Sequence, residues 1–110
     1  MTAIAVTLET IDDRHGRYVA RVDGKAGEAE LTFTWRGERL LSADHTGTPE
    51  ALRGMGLARA LIERLVADAR AQGFKIIPLC PYIRAKYEEH PEWQEVMTSA
   101  PGELPHLKIR

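Results

Sequence analysis

The segment Arg53–Ala58 constrains the fold of this chain more than any other feature. It reads Arg-Gly-Met-Gly-Leu-Ala, and an amphipathic helical pattern begins directly behind its two glycines. The first N–H groups of a helix have no partner within the helix, and the helix dipole is positive at this end. Glycines allow an anion to approach those N–H groups closely. The segment therefore predicts a turn and a helix start that bind a phosphate or a pyrophosphate.

Three phosphate-binding patterns compete for this segment. A dinucleotide-binding fingerprint requires a third Gly or Ala where this chain has Arg59, and an acidic residue near Gly73–Lys75, where there is none. A P-loop requires Gly-Lys-Ser/Thr, which is absent. The third pattern, Arg/Gln-x-x-Gly-x-Gly/Ala, is matched in full by Arg53, Gly56 and Ala58.

The helix and the strand after it predict a parallel strand pairing. Gly73 is placed to end the helix, and Lys75–Cys80 is typical of a short buried strand. A strand, a helix and a second strand in this order favour a right-handed crossover and a parallel pair. Apolar residues recur along the helix at helical spacing: Leu57, Ala58, Leu61, Ile62, Leu65, Val66 and Ala69.

The first half of the chain predicts four strands joined by short turns: Ala3–Glu9, Arg17–Val22, Ala29–Trp35 and Arg39–His45. Residues Thr46–Leu52 form a loop, in which Pro49 suits the start of one helical turn. The predicted fold class is α/β, with an antiparallel meander of four strands, then a helix, a parallel fifth strand and a short C-terminal helix. We expect one domain over residues 1–110, with its core at about 3–97 and a tail at 98–110.

Composition excludes several function classes. The chain has 110 residues and a net charge of −1, which argues against broad nucleic-acid binding and against a polybasic membrane surface. There is no apolar run long enough for a membrane span and no secretory signal pattern. One cysteine and four scattered histidines have no metal-ligand spacing, so no metal is expected. We expect a cytoplasmic protein, either a monomer or a weak homodimer.

The order of motifs resembles one family. The pair His45-Thr46 is followed by the Arg53–Ala58 loop, then by Pro78-Leu79-Cys80-Pro81-Tyr82, then by Tyr87-x-x-His-Pro-Glu-Trp. From about Thr7 to Met97 this order is similar to a small branch of the GCN5-related N-acetyltransferases (GNAT), which bind acetyl-coenzyme A (acetyl-CoA). The resemblance implies a mixed sheet whose fourth and fifth strands separate, so that the pantetheine arm lies between them.

The resemblance also implies the ligand-binding residues and an open acceptor region. The cosubstrate would be bound by the loop residues Arg53, Gly54, Met55, Gly56, Leu57, Ala58 and Arg59, together with Tyr82 and Lys86. The turn at Thr10–Arg17 is too short for the N-terminal helices that this family usually has. The acceptor site should therefore be open, or completed by another subunit.

Three residues are candidates for catalysis. Tyr87 matches the tyrosine that protonates the departing sulfur in many family members, although this chain lacks the usual Gly after it. Tyr82 is the alternative acid. Cys80 has three alternative interpretations. It accepts the acetyl group as a nucleophile, it positions the thioester, or it packs in the core as free cysteines commonly do. His45, at the end of the fourth strand, is a candidate general base, either for Cys80 or for the acceptor.

The function predicted first is an acetyl-CoA-dependent N-acetyltransferase in which an amine attacks the thioester directly. The alternative is a catalytically weak or inactive coenzyme A-binding module that acts through a partner. The third hypothesis is a structural α/β domain without catalytic function, and this hypothesis predicts no affinity for coenzyme A. The sequence does not identify the acceptor amine, which would be a small molecule or a protein.

Overall fold

Five strands form one mixed sheet, in the order in which they occur in the chain. The computed structural model describes residues 3–98. The first four strands pair antiparallel, and the fifth pairs parallel with the fourth, which confirms the predicted fold class. The elements are β1 (Ile4–Thr10), β2 (His15–Val22), β3 (Ala29–Gly37), β4 (Leu40–Gly47), a 3₁₀ turn (Glu50–Leu52), α1 (Leu57–Gln72), β5 (Lys75–Pro78), α2 (Pro81–Glu89) and a second 3₁₀ turn (Pro91–Glu95).

Helix α1 begins and ends where the sequence predicts. Gly56 is its N-cap, and Gly73 is its C-cap in the left-handed conformation, with a φ of 79°. The Gly73 N–H donates to the Ala69 carbonyl, which satisfies one of the last free carbonyls of the helix. The glycine is needed here because a side chain in this conformation is strained.

Several predicted strand ends differ from the observed ones by one or two residues; for example, β3 extends to Gly37 and β4 to Gly47, so Thr46 and Gly47 belong to β4 rather than to the predicted loop. Two further differences have a local cause. His15 and Gly16 belong to β2 rather than to the preceding turn, because the Asp12 carboxylate accepts the Arg14 and His15 N–H groups and shortens that turn. Strand β5 ends at Pro78 rather than at Cys80, because the chain turns at Leu79, whose N–H donates to the Ile77 carbonyl. The predicted tail, apart from Thr98, lies outside the described residues.

The core lies between α1 and one face of the sheet. The buried stripe of α1 packs on β1, β2 and β3, and the same apolar cluster extends to Ile83 of α2 and to Trp93. Trp93 is buried, and Trp35 packs against the cluster while partly exposed. The opposite face carries polar side chains, among them Thr32, Thr34 and Ser42. Among the described residues, no helix is long and apolar enough to cross a membrane.

A β-bulge in β4 determines which side chains at the end of this strand face the candidate site. Ala43 pairs with Phe33 and His45 pairs with Thr32, so Asp44 is an extra residue without a partner position on β3. Pairing between β4 and β5 ends at Ala43 and Pro78. Residues 44–47 of β4 therefore pair with β3 alone, and their other backbone edge is free of strand pairing with β5.

Candidate functional site

The glycine turn leaves the start of α1 open to an anion. Gly54 and Gly56 both have a φ of 81°, in the left-handed region that favours glycine. The first helical bond runs from the Ala60 N–H to the Gly56 carbonyl, and no side chain caps the helix. There is no acidic residue in the first turn. The N–H groups of residues 57–59 therefore present partial positive charge without a competing carboxylate.

A cavity of about 430 Å³ lies directly at this helix start. It brings together the glycine turn, the end of β4 that does not pair with β5, and the first turn of α2. The residues that line it are Thr46, Thr48, Leu52, Arg53, Gly54, Gly56, Leu57, Ala58, Arg59 and Tyr82. Seven of these ten residues, Arg53, Gly54, Gly56, Leu57, Ala58, Arg59 and Tyr82, are predicted ligand-binding residues. Sequence reasoning did not assign Thr46, Thr48 or Leu52 to the site.

The two arginines of the loop differ in whether their guanidinium group is already paired with a carboxylate. The Arg59 Nε lies 2.9 Å from Glu63 Oε2, so its charge is shared with a carboxylate one helical turn away. Arg53 is exposed and has no ion-pair partner within the described part of the chain. Arg53 is therefore the cation with more charge to offer to an anionic ligand in this cavity.

Cys80 lies at the point where β4 and β5 separate. Its side chain is buried, and its sulfur lies 3.6 Å from the Thr46 hydroxyl. Its N–H donates to the Ala43 carbonyl at 3.0 Å, and its carbonyl accepts the Arg84 N–H, which begins α2. Cys80 is thus the N-cap of α2 rather than the last residue of β5.

The structure does not bring His45 together with Cys80. Strict alternation from Leu41 and Ala43 would place His45 on the buried face of β4. The bulge at Asp44 reverses that alternation, so His45 pairs with Thr32 on the polar face and Thr46 takes the position beside the thiol. The prediction of His45 as a base for Cys80 is therefore wrong. Its prediction as a base for the acceptor stays a prediction.

The two tyrosines of α2 have different surroundings. Tyr82 lines the cavity, and the Lys86 ammonium lies 5.5 Å from the centre of its ring. Lys86 also lies 3.3 Å from the Glu89 carboxylate. Tyr87 packs against the apolar core and is absent from the cavity lining. Burial raises the pKa of the Tyr87 hydroxyl, because the charged phenolate loses water.

Metal binding finds no support in the part of the chain that the structure describes. Within residues 3–98, no three side chains of His, Cys, Asp or Glu are grouped in a way that would hold a metal ion. The polar groups that converge on the cavity are backbone N–H groups, two guanidinium groups, hydroxyls and a phenol. These groups suit a phosphorylated organic ligand better than a bare cation.

Comparison with known proteins gives a family match over most of the chain. The family model described as GCN5-related N-acetyl-transferase matches residues 17–96. The protein NATD1 of Homo sapiens is 29% identical over 80 residues, which are 73% of this chain and 71% of the relative. NATD1 of Danio rerio is 27% identical over 86 residues, covering 76% of this chain and 78% of the relative.

A solved structure has the same fold. It is the NMR structure of a GCN5-like protein from Staphylococcus aureus, which aligns with a TM-score of 0.64 at 23% sequence identity. The alignment covers 91% of this chain and 95% of that one.

Proposed function

The chain belongs to the GCN5-related N-acetyltransferase family, and from that premise we propose that it transfers an acetyl group from acetyl-coenzyme A to an amine by direct attack. One observation carries the proposal: an uncapped helix start, an arginine without an ion-pair partner in residues 3–98, and the edge of β4 that does not pair with β5 share a single cavity. The helix start and the arginine match the anionic pyrophosphate of a coenzyme A thioester, and the strand edge matches its amide-containing arm, which ends in the reactive carbonyl.

The pyrophosphate would lie at the start of α1. The N–H groups of residues 57–59 and the Arg53 guanidinium would donate charge-assisted hydrogen bonds to its oxygens. The ion pair with Glu63 leaves Arg59 a smaller part in that contact. The helix dipole favours the same charge at the same place.

The amide-containing arm would lie along residues 44–47 of β4. An uncovered strand edge offers N–H and C=O groups to an extended chain that has amides of its own. The bulge at Asp44 and the end of β5 at Pro78 leave that edge free. The thioester would then be near Thr46 and Cys80, where the two strands diverge.

The chemistry requires one bond to form and one to break. The lone pair of the acceptor nitrogen attacks the thioester carbonyl carbon, and the carbon–sulfur bond breaks as the amide forms. The nitrogen loses a proton to a base, and the departing sulfur gains a proton from an acid. His45 is exposed on the polar face of β4, so its role as the base requires an acceptor that reaches the thioester from that face, through the gap between β4 and β5.

Two phenols are proposed for the acid. Tyr82 lines the cavity, which supports a contact with the bound thioester. Burial raises the pKa of Tyr87, which makes its hydroxyl a weaker acid than an ordinary phenol. We propose that replacing Tyr82 with Phe lowers kcat more than the same change at Tyr87 does.

One observation favours the alternative of a weakly catalytic coenzyme A-binding module. The tyrosine that matches the family's acid, Tyr87, packs against the core instead of lining the cavity. The two functions share the binding site and differ in turnover. Both predict binding of acetyl-coenzyme A, and only the enzyme releases free thiol faster than buffer when amines are supplied.

A matched pair of glycine substitutions tests the binding site. Gly56 and Gly24 have φ values of 81° and 82°, and an added side chain would meet open space at both positions. Gly56→Glu and Gly24→Glu therefore introduce the same charge and similar backbone strain. We expect calorimetry to show acetyl-coenzyme A binding to the wild type and to Gly24→Glu, and its loss in Gly56→Glu. Binding that survives in a folded Gly56→Glu variant would refute the phosphate-loop assignment.

Turnover is then measured as thiol release with a panel of small amines and with peptides carrying a free amine. Release above the buffer rate supports the transferase. Binding without release, for every amine class tried, supports the module that acts through a partner. Desulfo-coenzyme A serves as the binding control, because it lacks the sulfur while retaining the pyrophosphate.

A further inference from the structure

The two edges of the sheet are covered differently. On the outer edge of β5, the Ile76 N–H donates to the Val96 carbonyl and the Ile76 carbonyl accepts the Thr98 N–H, so residues 96–98 cover it. Strand β1 pairs with β2 alone within residues 3–98. On its other edge, the Val6 carbonyl accepts one hydrogen bond, from Arg64 Nη1 at 3.1 Å.

The register shows which backbone groups face outward on β1. The Asp23 N–H donates to the Ala3 carbonyl, so Ala3 is directed toward β2. Hydrogen-bonding residues alternate along an antiparallel pair. Ala5, Thr7 and Glu9 are therefore directed toward β2 as well. The N–H and C=O groups of the other four residues of β1 point away from the sheet: Ile4, Val6, Leu8 and Thr10.

The first three of these residues are also apolar. Ile4 is 38% exposed and Leu8 is 48% exposed, while Val6 packs partly against the core. Ile4, Leu8 and the neighbouring Ile11 are three of the five exposed large apolar side chains within residues 3–98. An uncovered edge strand normally carries a Pro, a Lys or a bulge that prevents pairing. Strand β1 contains neither residue, and its register with β2 is continuous through seven pairs.

We propose that β1 is the interface for a second copy of this chain, which pairs antiparallel with it across a two-fold axis at Val6. In that register Ile4 lies opposite Leu8 of the partner subunit, and Val6 lies opposite its own copy. The two five-stranded sheets join into one. The same patch serves both subunits, as a two-fold interface requires.

The pattern of β1 favours a second copy over an unrelated peptide. The apolar triplet is symmetric about Val6, so the strand is complementary to itself in the antiparallel direction. Glu9 is the charged side chain of β1, and its ion pair with Arg17 lies on the sheet's polar face. In the proposed register Glu9 faces Ala3 of the partner subunit, so no like charges meet.

The Arg64 contact is compatible with this pairing. A backbone carbonyl has two lone pairs, so the Val6 carbonyl accepts a second bond from the partner strand. Arg64 reaches Val6 from α1, and its guanidinium lies 5.5 Å from the centre of the Tyr18 ring, on the helix-covered face.

The interface is short, so the dimer should be weak and dependent on concentration. Interfaces below about 1,200 Å² of total buried surface belong to transient complexes. Sedimentation velocity on the full chain, from about 10 µM to about 1 mM, covers the range of weak association. We expect the weight-average mass to rise from that of one chain toward that of two. A protein that stays monomeric throughout this range refutes the proposal.

Two charge substitutions test the register. Ile4→Glu and Leu8→Lys each place a charge opposite an apolar residue of the partner, and each should weaken association by about tenfold or more. The double variant Ile4→Glu/Leu8→Lys places opposite charges across the axis at both ends and should restore association. A double variant that associates no better than the single variants refutes this register.

A matched control separates the interface from general surface effects. Leu79 is 37% exposed and lies next to β5, away from the β1 edge, so Leu79→Lys should leave the mass distribution unchanged. If Leu79→Lys weakens association as much as Leu8→Lys does, the proposed interface is refuted. Circular dichroism and the thermal midpoint confirm that each variant is folded. This inference is independent of coenzyme A binding, which calorimetry measures separately.

Discussion

The Thr46 hydroxyl and the Cys80 sulfur lie 3.6 Å apart, and this contact joins the free end of β4 to the first turn of α2. Thr46 lines the cavity, whereas Cys80 is buried behind it. The thiol is held against a hydroxyl, His45 lies on the other face of the strand, and no other basic side chain within residues 3–98 forms a hydrogen bond with the sulfur. The arrangement favours a positioning role for Cys80 over a nucleophilic one.

Replacing Cys80 tests that role directly. Under direct transfer, Cys80→Ala should keep kcat within about threefold of the wild type, while loss of the buried sulfur lowers stability by about 1 kcal/mol. Cys80→Ser, which retains a hydrogen-bonding group for Thr46, is the matched control. If the thiol carried the acetyl group, both variants would lose about 10³-fold or more in kcat. Steady-state thiol release and urea unfolding measure the two quantities.

The loop arginines should differ in their effect on binding. Arg53→Gln removes a cation with no ion-pair partner in the described part of the chain, and a lost charge-assisted bond of about 1.5–3 kcal/mol weakens binding roughly ten- to hundredfold. Arg59→Gln should weaken it less, because Arg59 already pairs with Glu63. Calorimetric titration with acetyl-coenzyme A measures both. Equal losses in the two variants would contradict the assignment of Arg53 as the main phosphate ligand.

The elements with strong local signals are the ones that sequence predicts. The alternation along Ala29–Trp35 and the helical stripe that Gly73 ends both depend on residues close together in the chain, and both were confirmed. The positive φ of Gly54 and Gly56 also agrees with the predicted turn.

The geometry around Cys80 was not predictable in the same way. Because Asp44 is an extra residue in β4, His45 lies on the polar face of the sheet and Thr46 lies on the buried face. Its carboxylate accepts hydrogen bonds from the Ser42 and Thr34 hydroxyls, and Thr34 comes from another strand. A bulge that depends on a partner strand leaves no periodic signal in the sequence, so simple alternation assigns the wrong residue to the site.

A close approach at Gly16 gives a test of the packing of β2. A Cβ added there would lie 2.6 Å from Phe33 Cζ and 3.0 Å from the Glu9 carbonyl oxygen, and the second of these is backbone. Gly16→Ala should therefore lower the free energy of unfolding by about 1–3 kcal/mol. At Gly37 an added Cβ would have its nearest neighbour at 3.9 Å, so Gly37→Ala is the matched control and should be near neutral. Urea unfolding that shows equal stability for the two variants would contradict this close packing of Gly16 against Phe33 and Glu9.

The turn before β2 should make stability depend on pH. Hydrogen bonds from the Arg14 and His15 N–H groups and from the His15 ring lower the pKa of Asp12 from 3.8 to about 2. A carboxyl whose folded pKa is lowered stabilises the fold above its unfolded pKa, and this contribution is lost as the pH falls through the folded value. Asp12→Ala should therefore be less stable than the wild type at neutral pH, and the difference should shrink as the pH falls from 3.8 toward 2.

The neighbouring exposed Asp13 provides the control, because its side chain makes no hydrogen bond among those found in residues 3–98. Asp13→Ala should differ little from the wild type at any pH. Urea unfolding at a series of pH values measures all three proteins. A difference between Asp12→Ala and the wild type that stays constant down to pH 2 would show that the carboxylate charge is not what stabilises the turn.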